Sequence, residues 1–353
     1  MKRYRVELEV VTAVHVGTGE EYNPTEYLIR EGHLLRFSVE RVLRRLNKVE
    51  RETFLQLSDG NSLTDVLKFL HAHVQEDDVR YRLPVSSRIT EQYRKNLGNP
   101  RNQLLIGEMY REMTTQRPVI PGSTLKGAIR TALVNHFAEG KRSVHNLRYP
   151  EPELLGYWDA KGDPFRAIKV TDCSIEGERT ERVSGFVNYK EHRRRGNDFV
   201  SIQMFKEHLI GHLLGGDAHG NFELTIDDGL QRWRRPLEKW EPLPIQFTLA
   251  DIVQSCNEFY LANFLEEYRR FYENSPYPEL RENGRRVLRE LNRIRPEQNQ
   301  CVVRLGRFSQ VENVTLNRLR RPWNKRRYGQ TRTLQEELFP SGLVRLRFRE
   351  VES

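Results

Sequence analysis

The sequence predicts an α+β fold. Apolar and polar residues alternate at widely separated places: Val6, Leu8 and Val10 against Arg5, Glu7 and Glu9, then "FRAIKVTDCSI" at 165–175 and "GLVRLRF" at 342–348. Long stretches between them carry helical spacing instead, as in Ile252, Cys256, Phe259, Tyr260 and Phe264. A tight hairpin reads from "YLIREGHLLRF", turning at Gly32.

Taken in order, a half-buried strand at 4–12 runs into "HVGTGEEY", a loop with Gly17 and Gly19. The hairpin follows, and Ser38 caps a helix whose inner face is Val39, Val42, Leu43 and Leu46. Strand, hairpin and helix make part of a ferredoxin-like βαββαβ plan. Residues 47–115 read as a helical insertion, with Ser62 and Asp65 as a capping box. "VIPGSTLKGAIRTALVNHF" is a turn feeding a helix, with Ser123 as N-cap, Gly140 as C-cap, and Leu125, Ala128, Ile129, Ala132 and Leu133 buried. "EHRRRGND" suits an exposed hairpin tip, and "GGDAHGN" at 215–221 a mobile stretch. "KWEPLPIQFTL" reads as a strand, Asp251 as the cap of the long helix, 279–294 as a charged helix and "CVVRLG" as a strand. The expected division is one unit over 1–235 and a second over 236–353.

Charge is unevenly spread. The 353 residues carry a net +9, and the segment from Thr315 to Arg349 holds ten Lys/Arg against two Glu, leaving only +1 for the remainder. One basic region on a balanced protein points to a polyanionic partner. Cys173, Cys256 and Cys301 are far apart with no CxxC or Cys/His spacing, so neither a zinc site nor a disulfide framework is expected, and a reducing cytoplasm fits. "MKRYRVELEV" reads as a strand and not as a signal peptide, and no apolar run approaches the roughly 20 residues of a membrane span. HExxH, GxSxG and a P-loop are absent, and no metal or cofactor is expected.

Three stretches carry candidate chemistry. Lys126 and Arg130 sit one above the other in the first turns of the helix at 123, where cations oppose the helix dipole. A phosphate bound by Ser123, Lys126 and Arg130 at that helix start would make the placement favourable; extension of both side chains into water is the alternative. "HVGTGEE" offers His15, Gly17, Thr18 and Gly19, where glycines let a ligand approach the main chain. His15 is either a packed or stacking residue or a general base. "RLRRPWNKRRYGQTRTL" interleaves Arg320, Arg321, Lys325, Arg326, Arg327 and Arg332 with Trp323 and Tyr328, the composition of a single-strand RNA binder.

Several of these segments together resemble the RAMP proteins of CRISPR systems, and within them the fifth-subunit family of the type III-A Csm complex. The likeness rests on "LEVVTAVHVGTGEEYNPTEYLI", "VIPGSTLKGAIRTAL", "FRAIKVTD", "KWEPLPIQF", "VRLG", "YGQTRTL" and "PSGLVRLRF", in order over nearly the whole chain. It implies two RRM-like (ferredoxin-like) domains and a non-catalytic subunit that binds guide RNA (crRNA). Such a subunit caps the complex at the guide 3′ end, beside the RAMP backbone subunit and the other Csm subunits. It also implies a part in antiviral defence and in guide maturation through recruited host ribonucleases. RNA contacts would fall at His15, Gly17, Thr18 and Gly19, at Ser123, Lys126 and Arg130, and at the loop starting at Gly306. There the family shows a second glycine where this chain reads "GRFSQVEN", with Arg307 supplying charge instead. Two alternatives stand beside this reading. One is a metal-independent repeat endoribonuclease with His15 as base and Lys126 stabilising charge. The other is a different RAMP subunit of a type III complex.

Overall fold

A computed structural model describes residues 1–351 apart from 61, 100, 140–143, 147–148, 192–198, 235–238, 318, 320–328 and 337. The chain begins with β1 (Lys2–Val10), whose Tyr4, Val6, Leu8 and Val10 are buried while Arg5 is exposed, as the alternation requires. It continues through β2 (Gly17–Tyr22) and the hairpin β3 (Tyr27–Arg30) and β4 (His33–Phe37). Then come α1 (Val39–Arg45) with Ser38 at its N-cap, α2 (Lys48–Asp59), α3 (Leu63–His73), β5 (Val79–Pro84), α4 (Ser87–Asn96) and β6 (Ile106–Met109). The segment 47–115 is therefore not purely helical: β5 completes a three-stranded sheet with β3 and β4, and β6 enters a main sheet. "VRYRLP" alternates, and its inward Leu83 packs beside Leu34.

β7 (Val119–Ile120), α5 (Gly122–Phe137) and α6 (Glu151–Leu155) follow, then β8 (Ile168–Val170), β9 (Cys173–Glu176), β10 (Glu181–Lys190), β11 (Phe199–Leu209) and β12 (His219–Ile226). The expected strand at 165–175 is thus split in two after a short 3-10 turn. The 215–221 stretch is not a free loop: Ala218 is buried and His219–Asn221 already belong to β12. After the small hairpin β13 (Gln231–Arg234) and β14 (Lys239–Pro242) come α7 (Leu249–Glu267), α8 (Pro278–Leu291), β15 (Gln300–Arg304), β16 (Thr331–Gln335), β17 (Phe339–Pro340) and β18 (Leu343–Val351). Thr248 caps α7, and Asp251 is its capping-box partner three residues on. The hairpin tip at 192–198 lies outside the described residues, and the C-cap of α5 is Ala138 rather than Gly140, because the helix ends at Phe137 with the Ala138 N–H still bonded to the Val134 carbonyl.

Two sheets dominate. One has seven strands in the order β15-β18-β1-β12-β9-β7, with β8 also on β12. The other runs β17-β16-β10-β11-β6-β2. Strands from both sides of residue 235 enter each sheet: β1 lies between β12 and β18, and β10 pairs with β16. The principal core lies between the first sheet and α5, α7 and α8. Residues 11–16 form the seam between the sheets, bridging Ala13 to Ser341 on one side and Val14 to Leu209 on the other. Cys173, Cys256 and Cys301 are free and buried.

Candidate nucleic-acid interface

The seam ends at a cleft of about 730 Å³ lined by residues from three separate stretches: His15, Gly17 and Gly19; Thr124, Gly127 and Thr131; and Gly306, Arg307 and Asn313. Each stretch reaches the cleft for a local reason. β2 is an edge strand, and its register to β6 slips between Gly17 and Glu21, so Thr18, Gly19 and Glu20 bulge out and are exposed. α5 turns its buried stripe to the core and leaves Gly127 and Thr131 on the cleft side. The loop after β15 is tied to the first stretch: the Arg307 backbone N–H donates to the His15 carbonyl at 2.9 Å. Gly306 sits at φ +81°, and a Cβ there would collide with that same carbonyl oxygen, so both its backbone angle and its neighbour demand glycine.

His15 is a buried, neutral ring. Its Nδ1 lies 2.7 Å from the Glu207 carbonyl oxygen, which accepts only, so Nδ1 carries the proton. Burial drives its pKa down to about 4, with Lys206 and Arg307 pushing the same way and the carbonyl bond opposing. Phe308 lies against it at 6.3 Å between ring centroids.

The cleft's cations are Lys206, Arg304 and Arg307. Arg304 is consumed by the buried Glu267. Lys206 meets Glu21 at 2.5 Å near the mouth. Arg307 is exposed and has no ion pair among the described residues. Gly127 is the other unspent feature. A glycine inside a helix costs about 1 kcal/mol relative to alanine. Among the described residues a Cβ at Gly127 would meet nothing within 4 Å, so none of them explains it.

The cations expected to clamp phosphate on α5 are used internally. Arg130 donates from Nε to Glu151 at 2.9 Å and from Nη1 to Asp163 at 3.2 Å, over the ring of Phe165. Lys126 Nζ donates to the Ile168 carbonyl at 2.7 Å, and burial lowers its pKa. The charge at this helix start is thus answered by Glu151, Asp163 and a carbonyl. Ser123 is exposed but is not the cap: Pro121 stands there, and the Gly122 N–H is taken by Asp172 at 2.7 Å. Arg130→Ala is therefore expected to lower stability by about 1–3 kcal/mol, as loss of charge-assisted hydrogen bonds does. Urea unfolding checks this; an unchanged midpoint would contradict the structural role.

Arg332 requires a clear correction. It is 2% exposed, with Nη2 2.9 Å from Glu312, Nε 2.8 Å from Glu267 but off the hydrogen-bonding line, and its guanidinium over Phe271. It cannot reach RNA. Arg320, Arg321, Lys325, Arg326 and Arg327, with Trp323 and Tyr328, lie outside the described residues; in sequence they follow closely on Asn313 and Val314, which line the cleft. Thr124, beside Ser123 at the helix start, lines the cleft as the turn suggested, whereas sequence reading missed Gly127, Thr131 and Lys206. Gly127, isolated in a helical pattern, was the available signal. Among the described residues no His/Cys/Asp/Glu group could hold a metal, and no helix is long and apolar enough to cross a membrane.

The RAMP superfamily model matches residues 7–348. The chain belongs to the RAMP superfamily. Within it, this RAMP protein is similar to the CRISPR system protein Csm5 of Streptococcus thermophilus, at 25% identity over 187 residues, which cover 48% of this chain. The match spans about half the length (51%) of that curated relative. A chain of a cryo-EM structure of a Csm–crRNA–target RNA ternary complex of a type III-A CRISPR-Cas system shares the fold, with a TM-score of 0.68, 18% identity, and coverage of 97% of this chain and 100% of that one. The crystal structure of T. onnurineus Csm5 gives 0.63 at 18% identity, covering 96% and 99%. The mixed α+β architecture is thus that of a RAMP protein, and its fold is shared with the T. onnurineus Csm5 structure.

Proposed function

We propose that this protein is the Csm5-type subunit of a type III-A CRISPR effector complex and holds guide RNA in the cleft at the seam, capping the complex near the guide 3′ end. The carrying observation is the convergence of the Gly17, Gly127 and Gly306 stretches on one cleft, with nothing among the described residues within 4 Å of a Cβ placed on Gly127. Glycines at three sides admit a sugar-phosphate backbone close to main chain, and Arg307 supplies the unspent charge. His15, Gly17, Thr18 and Gly19 remain contact candidates; the basic stretch that follows Val314 would extend the path. The two main sheets are then the two RRM-like units, sharing the chain rather than dividing it at residue 235. The other Csm subunits, chiefly the RAMP backbone subunit, are the partners of this reading, in a cytoplasmic complex serving antiviral defence, with guide trimming left to recruited ribonucleases.

The role is binding rather than cleavage. A base poised for RNA cleavage works best with a pKa near the operating pH. His15 is held near 4 and is buried, its Nδ1 proton fixed on a backbone carbonyl. Purified protein should leave repeat RNA and mature guide uncut; site-specific cutting abolished by His15→Ala would reinstate the endoribonuclease alternative.

The test separates fold from binding. Gly127→Ala should raise stability by about 1 kcal/mol, because alanine gains helix propensity with no clash. Gly127→Leu should keep the fold but weaken single-stranded RNA binding at least tenfold by filling the cleft. Arg307→Ala should reduce the salt slope by about 0.7, the value of one single-strand phosphate contact. Unchanged RNA affinity in Gly127→Leu and Arg307→Ala together would defeat the proposal.

A further inference from the structure

Away from the cleft, the outward face of the seven-stranded sheet is open where β12, β1 and β18 run side by side, and a groove of about 860 Å³ lies along it. Pairing register sets three cross-strand rows. Glu9 lies between Arg345 and His219, Glu7 between Arg347 and Asn221, and Arg5 between Arg349 and Glu223. Directly opposite charges would pair Glu7 with Arg347. Instead the Glu7 carboxylate goes diagonally to Arg349 at 2.9 Å. Glu9 is held by Arg345, and His212 Nδ1 lies 3.0 Å from it but off the hydrogen-bonding line. Asp217, at the end of the groove, accepts backbone N–H groups of Glu178 and Arg179 at 2.9 and 2.7 Å.

Glu7, Glu9 and Asp217 are thus spoken for, Glu223 lies opposite Arg5, and the charge of the residues lining the groove is in surplus positive. Arg347 is exposed, with no ion pair among the described residues. Among the described residues Arg5 makes only a long contact, Nε to the Asn221 amide oxygen at 3.5 Å. Arg295, at the rim, donates from Nη1 to the Asn292 and Ile294 carbonyls at 3.2 and 3.3 Å and lies 4.0 Å from Glu297. These guanidiniums come from different elements and face one groove.

We propose that this groove docks an extended acidic segment of a partner protein, its carboxylates taken by Arg5 and Arg347. Guanidinium and carboxylate match as planar two-point partners. Every second side chain of an extended segment faces the groove, about 7 Å apart, so carboxylates can meet the arginines and step past Glu7 and Glu9. An unbroken row of phosphates could not avoid those carboxylates, which favours a polypeptide over a nucleic acid. Because the RNA cleft lies beyond the end of β1, at the seam, both sites can be filled at once.

The experiment uses the whole chain and a fluorescein-labelled 12-residue peptide of alternating Glu and Ser, read by anisotropy at low salt, with a Lys–Ser peptide as control. The acidic peptide is expected to bind and the basic one not. Arg5→Gln with Arg347→Gln should weaken it at least fivefold, and Arg5→Glu with Arg347→Glu at least twentyfold, while single-stranded RNA affinity changes less than twofold. If the charge-reversed variant does not fold, the glutamine variant carries the test. No binding of the acidic peptide, or binding unaffected by either variant, would overturn the proposal. Loss of RNA affinity in place of peptide affinity would do the same and mark the face as a nucleic-acid surface.

Discussion

Glu207→Leu is expected to destabilise the protein by about 3–5 kcal/mol, the cost of breaking a buried ion pair from one side. The Glu207 side chain is fully buried on β11. Its carboxylate accepts from Tyr22 at 2.6 Å, Tyr81 at 2.8 Å, the Met109 backbone N–H at 2.8 Å and Arg111 at 3.0 Å. One side chain thereby ties β2, β5 and β6 to β11, and its own carbonyl oxygen orients His15. Removing it strands two phenols and a backbone donor and leaves Arg111 with Glu181 at 2.6 Å and the Gln116 carbonyl at 2.9 Å. β2 is an edge strand whose ladder partner is β6, so with the Tyr22–Glu207 tie gone the Gly17 bulge should loosen and RNA binding fall with stability. Urea unfolding measures the first effect; a loss under 1 kcal/mol would show that the cluster is not what holds the seam.

The second large effect is in acid. Burial alone would raise the pKa of Glu267, but Arg304 at 2.6 Å and Arg332 hold it down to about 2, helped by the Tyr272 hydroxyl at 2.6 Å. A folded pKa below the unfolded value of about 4.5 means stability present above pH 4.5 and lost as pH falls toward 2. The shift corresponds to about 3 kcal/mol. His15 and His208, both lowered to about 4, begin the decline earlier, from pH 6.5 downward, because the fold must accept a charge it excludes. Glu267→Gln should lower stability at pH 7 and flatten the limb below pH 4.5 while leaving the limb above it. A variant whose acid unfolding curve is merely displaced, with the same slope below pH 4.5, would contradict this assignment.

Period-2 and helical spacing sufficed to place β1, β18, the hairpin at Gly32 and α7, since each is set by local alternation or by a stripe. They did not suffice for charge. Lys126 and Arg130 advertised an absent anion, but Glu151 and Asp163 come from 21 and 33 residues away, and only the fold brings them there. Arg332 looked like part of a basic arm. Yet "TRTLQ" alternates, and Arg332 shares its buried face with Leu334, a pattern legible in the order of the residues themselves. Insertion strand β6 was illegible because "IGEM" is short and takes its place from a parallel partner, β11. The cleft was half legible: its glycine loops stand out in the sequence, whereas the face of α5 that meets them depends on where the apolar stripe points.

Photocrosslinking tests the cleft most directly. Single-stranded RNA carrying 4-thiouridine, bound to the whole chain and irradiated, should yield adducts mapped by mass spectrometry to residues 15–21, 124–131 and 306–314 together. Adducts confined to the Arg5–Arg347 face, or absent from all three stretches, would contradict RNA binding at the seam.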